Sequence, residues 1–392
     1  MRRPLRGLAA LLTSAAVGLA VVPAAPASAA PGATSPTPVA GGQTSGDSLF
    51  DAYGNTGYDV RHYGIALAYA KNGSIRATTT VEARAARALS SFSLDLEGLS
   101  VDRVRVDGRT AAFRRDGTKL VVTPARPAKG RFTVTVRYHG RPVTHTDPDG
   151  SQDGWVPSTT GATALNEPVG AQTWYPNNNT PRDKASFDVA LTVPKKLAAA
   201  SNGVLRSRRT KDGQTTWRWR QRRPMATYLS MVAIGRFDVY RSTVELRHGR
   251  KIPAWTFVQP SLGSAKAQRS LLPKVLRFSE KQYGRYPFDA AGMVIQDLGV
   301  GYALETQTRP FFDGVPDEAT LVHEYAHQWS ATRSPRRTGA TSGSTRASPP
   351  TRRRTGPLST VARRPGRRSR RSTPRTRPRA RVPSCGHPRP PR

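Results

Sequence analysis

The residues best suited to chemistry lie in the stretch Thr320-Leu321-Val322-His323-Glu324-Tyr325-Ala326-His327-Gln328-Trp329, which contains an H-E-x-x-H. On a helix, residues four apart share one face, so His323 and His327 can reach the same metal ion. Glu324 sits one residue on, where its carboxylate can meet a water on that metal without taking a ligand position. That residue set at that spacing points to zinc-assisted hydrolysis with Glu324 as general base.

Such a pair needs a helix with a buried side. Asp317 is placed to cap it, and Leu321, Val322, Tyr325, Ala326 and Trp329 supply apolar residues around the histidines. Upstream, Ser264 to Tyr283 has Leu272, Val275 and Leu276 at helical spacing, and Ala291 to Leu298 suits a short buried strand. Val244 to Val258 has room for two strands. Before that the pattern is β. Phe132, Val134, Val136 and Tyr138 alternate with polar residues, as do Trp217 and Trp219. Asp107-Gly108, Asp116-Gly117 and Asp212-Gly213 fall between such runs, where hairpins turn. The pattern predicts an α+β protein: an antiparallel β domain over residues 48–240, then a partial zinc-peptidase domain over 241–330.

The ends of the chain read differently. Residues 1–30 have a basic start (Arg2, Arg3, Arg6), an apolar run from Leu8 to Val22 and the exit Ala27-Ser28-Ala29. This is the pattern of a secretory signal peptide, which predicts a secreted protein with no stable membrane anchor. Residues 31–47 are expected to be a flexible leader. The single cysteine, Cys385, leaves no internal disulfide. The formal charge of +36 would suggest a polyanion partner. However, residues 331–392 hold 19 arginines and no acid, and the first 30 residues add +3. That leaves +14 for residues 31–330, so no specific nucleic-acid partner is expected.

The motifs together resemble the M1 zinc aminopeptidases, the aminopeptidase N group, in a secreted bacterial form. His323-Glu324-x-x-His327-Gln328-Trp329 matches that family's zinc helix. Tyr302-Ala303-Leu304-Glu305-Thr306 stands in the place of its G-A-M-E-N motif, with the central Ala and Glu identical. Glu167-Pro168-Val169-Gly170-Ala171, with Tyr175-Pro176 and Lys184-Ala185-x-Phe187 after it, is similar to a segment of the family's β domain. The resemblance spans residues 48–329. It implies a thermolysin-like catalytic domain, Zn2+ on His323 and His327, Glu324 as general base, and peptide substrates with free N-termini. A peptide's α-amine is cationic, so carboxylates beside the metal would fix the register; Glu305 and Glu167 are the candidates. Gly299 and Gly301 either let the Glu305 segment approach the substrate backbone or mark a turn.

Past Trp329 the resemblance stops. The family's third ligand is a Glu separated by eighteen residues from the second histidine, within W-L-N-E-G-F-A. This chain has Arg346 there, and a guanidinium cannot ligate zinc. No Tyr, Phe or Trp follows Trp329, so the family's transition-state tyrosine has no counterpart. The residues suggest a cause. D-I-W-L-N-E-G-F-A-T-Y in GC-rich codons, read from the second base, gives T-S-G-S-T-R-A-S-P-P-T, which is Thr341 to Thr351. Likewise F-G-D-S-V shifts into Ser330 to Ser334. Our hypothesis is a one-base slip at the Trp329/Ser330 boundary; an intact, independently confirmed frame across codons 325–335 would refute it. The tail 331–392 is expected to be disordered, and the chain as written inactive. Two other functions suit parts of the pattern. One is a zinc endopeptidase on the same H-E-x-x-H. The other is a non-catalytic β-domain binder whose basic tail holds polyanions.

Overall fold

Alternating apolar and polar residues build most of the molecule, because a period of two gives each strand one face for a core. The computed structural model describes residues 37–48, 50–146 and 150–330. The chain divides into two compact units, Met1–Arg336 and Arg337–Arg392, and every described residue belongs to the first. The signal peptide, Cys385, Arg346 and the basic tail lie outside the described residues.

The largest sheet has eight strands in the order Val204–Lys211, Gln214–Met225, Ala185–Pro194, Tyr58–Tyr69, Ile75–Ala85, Arg131–Gly140, Ser100–Val106, Arg109–Thr110. Its neighbours are antiparallel except for Ala185–Pro194 beside Tyr58–Tyr69, which run parallel. Phe132, Val134, Val136 and Tyr138 are buried, as are Trp217 and Trp219. Asp107, Gly108, Asp212 and Gly213 all take left-handed backbone angles, the geometry of two-residue hairpin turns that match strand twist. Two smaller sheets complete this β region. One includes Leu89–Asp95, and the other contains Gln152–Pro157, Ala162–Leu165 and Val232–Gly235. The end of the predicted leader is not free. Val39–Ala40 forms a short parallel pairing with Leu89–Asp95, because unpaired backbone groups at that sheet edge accept a further strand.

The chain changes sheets at Asp238, slightly before the expected boundary after Tyr240. Asp238–Glu245 pairs with Lys251–Val258, which pairs in parallel with Ala291–Gln296. Helix α1, Lys266–Tyr283, makes the crossover. Phe311–Asp313 and Ala303–Leu304 finish this five-stranded sheet. Its two faces separate by strand alternation. Val294, Phe257 and Phe311 join the core of the β region, whereas Met293, Ile295 and Phe312 pack with α1 and with helix α2, Glu318–Ser330. The sheet is therefore buried on both sides, which fits its short apolar strands.

Candidate active site

Helix α2 starts where Asp317 places it. The Asp317 carboxylate accepts from the Thr320 N–H at 2.7 Å, which holds its pKa below the usual carboxylate range. Leu321, Glu324, Tyr325 and Gln328 form the buried edge of the helix. Tyr325 Oη accepts from the Gly292 N–H at 3.1 Å and donates to the Gly292 carbonyl. Gly292 is required for this fit, since a Cβ there would lie 1.9 Å from the Trp255 carbonyl oxygen. At the far end, Trp329 Nε1 donates to the Gly284 carbonyl at 2.8 Å and its ring packs on Tyr286. These contacts fix the rotation of the helix about its axis.

That rotation brings the two imidazoles together. His323 Nε2 and His327 Nε2 lie 3.1 Å apart, with the rings inclined at 76°. Two nitrogens each about 2.0–2.1 Å from one tetrahedral zinc would be roughly 3.3 Å apart. The pair therefore fits a shared ion with almost no movement. His323 is exposed and His327 half-buried, so the ion's position is open to a third ligand and to substrate.

Glu305 reaches the site from the loop after Ala303–Leu304, and α2 itself holds that loop. Gln328 Nε2 donates to the Glu305 carbonyl at 2.9 Å, and its Oε1 accepts from the Thr308 N–H at 2.7 Å. The β region grips the same loop from the other side. Gln307 N–H donates to the Leu229 carbonyl at 3.1 Å, Asn202 Nδ2 to the Gln307 carbonyl at 2.7 Å, and Gly203 N–H to Thr308 Oγ1 at 2.7 Å. The Glu305 carboxylate ends 4.0 Å from His327 Nδ1, with its side chain only 15% exposed.

Glu167 comes from the β region and is fixed on both sides. Trp174 Nε1 donates to Asn166 Oδ1 at 3.1 Å, and Asn166 Nδ2 donates to Ser230 Oγ at 3.0 Å. Beyond it, Val169 N–H donates to Asp153 Oδ2 at 3.0 Å. The carboxyl of Glu167 is pushed up to about 7, first by burial, then by the charge of Glu305 and a hydrogen bond to it, then by Glu324. Glu324, 6% exposed, is also pushed up to about 7, by burial and then by Glu305. Among the described residues, Glu305, Glu324 and His327 are the one group of three whose ligating atoms lie within 4.8 Å of one another.

All five residues singled out from the sequence thus meet in one pocket. Two residues in or beside it carry no motif of their own. Tyr228 is half-buried, and its phenol is pushed up by burial and by the charges of Glu305 and Glu167. Gln328 ties the Glu305 loop to the histidine helix. Its place after His327 gave a signal, but its two partners did not. Gly299 and Gly301 mark a turn. Their N–H groups donate to Asp313 at 3.2 and 2.6 Å, both have positive φ, and a Cβ on either would meet nothing within 4 Å.

Known proteins share this arrangement in part. Residues 60–229 match the Peptidase M1 N-terminal domain. Over 179 residues the chain is 29% identical to aminopeptidase M1-C of Oryza sativa, covering 42% of this chain and 20% of the relative. It is 27% identical over 186 residues to glutamyl aminopeptidase of Bos taurus, covering 42% and 18%. The chain thus spans about a fifth of the length of the curated relatives it matches. Among solved structures, the M1 zinc metallopeptidase of Deinococcus radiodurans superimposes with a TM-score of 0.66 at 26% identity, over 73% of this chain and 68% of that one. A mutant of that protein bound to a Tyr-Ser-Ala substrate superimposes with a TM-score of 0.67.

Proposed function

Residues 60–229 are an M1 N-terminal domain, and from that premise we propose that the chain carries the scaffold of a zinc-dependent aminopeptidase, built to remove N-terminal amino acids from peptides. The observation that carries this reading is the convergence of Glu167, Glu305 and Glu324 on the His323–His327 pair. His323 and His327 would hold Zn2+, which when bound supplies Lewis-acid polarisation of the scissile carbonyl and acidifies the attacking water.

Glu324 is the general base. It takes a proton from the water and returns it to the leaving amine. A carboxyl pushed up to about 7 suits both steps near neutral pH. Glu167 and Glu305 share a hydrogen bond, so together they hold negative charge where a peptide's α-ammonium can sit. Binding that ammonium places the first peptide bond, and no later one, at the histidines. The leader read from residues 1–30 assigns the activity to the outside of the cell.

The chain as it stands is proposed to be inactive, because Arg346 occupies the position of the third ligand. The test compares the 392-residue chain with one whose frame is restored at Trp329/Ser330, both with Zn2+, on aminoacyl-anilides. Release is expected only from the restored chain. No release from a folded, restored chain would refute the aminopeptidase reading. Turnover by the 392-residue chain would refute its inactivity.

A further inference from the structure

The histidine pair leaves a ligand position to fill, and the structure offers two nearby carboxylates for it. Glu324 follows His323 directly, so its side chain leaves the helix about 100° away from that histidine. It lies on the buried edge of α2, with Leu321, Tyr325 and Gln328. Glu305 approaches from outside the helix. Its backbone is pinned by Gln328, the residue after His327, and its carboxylate is 4.0 Å from the His327 ring. Ligating oxygen and nitrogen atoms on one tetrahedral zinc are separated by roughly 3.3 Å, so about 1 Å of side-chain movement closes the gap. Glu305 has the rotatable bonds for that movement, and its carboxylate has no strong cationic partner: His327, at 4.0 Å, is the one basic group paired with it.

We propose that in this 392-residue chain Glu305 serves as the third protein ligand of a divalent-cation site formed with His323 and His327. This rests on the reading of the histidine pair as a zinc site, and it adds that the site keeps its metal without the ligand lost at Arg346. It also has a cost for function. A Glu305 carboxylate on the metal is not free for a substrate amine, so Glu167 alone remains to hold the N-terminus.

The test measures Zn2+ binding by the full chain in competition with a chromophoric chelator, and the visible spectrum of the Co2+-substituted protein. Wild type is expected to bind one equivalent. Glu305→Gln should weaken binding at least tenfold and shift the Co2+ bands, as water replaces the carboxylate. Glu324→Gln and Glu167→Gln should change the affinity less than about threefold and leave the bands in place. His327→Ala should abolish binding. If Glu305→Gln binds as tightly as wild type while His327→Ala does not bind, Glu305 is no ligand and the histidine site stands. If Glu305→Gln weakens binding but leaves the Co2+ spectrum unchanged, Glu305 only orients His327 and the proposal fails. If folded wild type binds no zinc, both the proposal and the zinc reading fail.

Discussion

Two buried acidic clusters in this protein are built on opposite plans. In the β region, Asp95 is fully buried and fully partnered. It accepts from Lys119 Nζ at 2.5 Å, Asn55 Nδ2 at 2.8 Å and the Asn179 N–H at 2.9 Å. Burial raises its pKa, and Lys119 opposes that rise. In the pocket beside α2, Glu167, Glu305 and Glu324 raise one another's proton affinity, and no lysine or arginine appears among the causes of their shifts. A carboxylate needed only for the fold is neutralised within the fold. Carboxylates left unneutralised next to two histidines are prepared for a cation that arrives later, a metal ion or a substrate ammonium.

The sharpest way to break that comparison is to remove the cation from the first cluster. Lys119→Met leaves the buried Asp95 without its ion pair, which should cost about 3–5 kcal/mol of stability. A urea titration that finds less than about 1 kcal/mol would show that Asp95 is not held by Lys119, and the contrast would collapse.

The pocket should behave in the opposite sense. Glu324 titrates at about 7 in the folded protein against 4.5 for a free side chain. Between those values the folded state holds a proton that the unfolded state has released, so stability falls as pH rises through this window. In metal-free protein, Glu324→Gln should therefore be stabilising at pH 8, by about 1–2 kcal/mol once solvent screening in an open pocket is allowed for. Below pH 4.5 it should match wild type. Calorimetry at the two pH values checks this, and an Glu324→Gln protein less stable than wild type at pH 8 would contradict it.

The smallest effect is expected at the turn that leads to Glu305. Gly301→Ala keeps open space around its Cβ but must hold a positive φ, at a cost of about 1 kcal/mol. Zn2+ affinity should not change. A tenfold loss would mean that the turn, and not Gln328, sets the position of Glu305.

Local physics explains what was readable from the residues alone. The H-E-x-x-H face, the Asp317 cap, the Asp-Gly hairpins and the buried alternation of Phe132 to Tyr138 all depend on neighbours a few residues apart. Helix and strand periods determine them without reference to the rest of the chain. Resemblance of short motifs extended this to Glu305 and Glu167. The remaining features depend on contacts between distant segments. Glu167 lies about 150 residues before Glu324, and only packing between the β region and the second sheet makes one raise the other's pKa. The parallel pairing of Tyr58–Tyr69 with Ala185–Pro194, the docking of Val39–Ala40 and the burial of Tyr228 beside the acids belong to the same class. Gln328 shows the division most directly. Its position on α2 followed from helical periodicity, but its hydrogen bonds to Glu305 and Thr308 exist only because the sheet brings that loop against the helix. The sequence by itself thus determined which residues could hold a metal and activate water. Tertiary structure decided which carboxylates share that pocket and how strongly they hold their protons, because desolvation and charge act through space rather than along the chain.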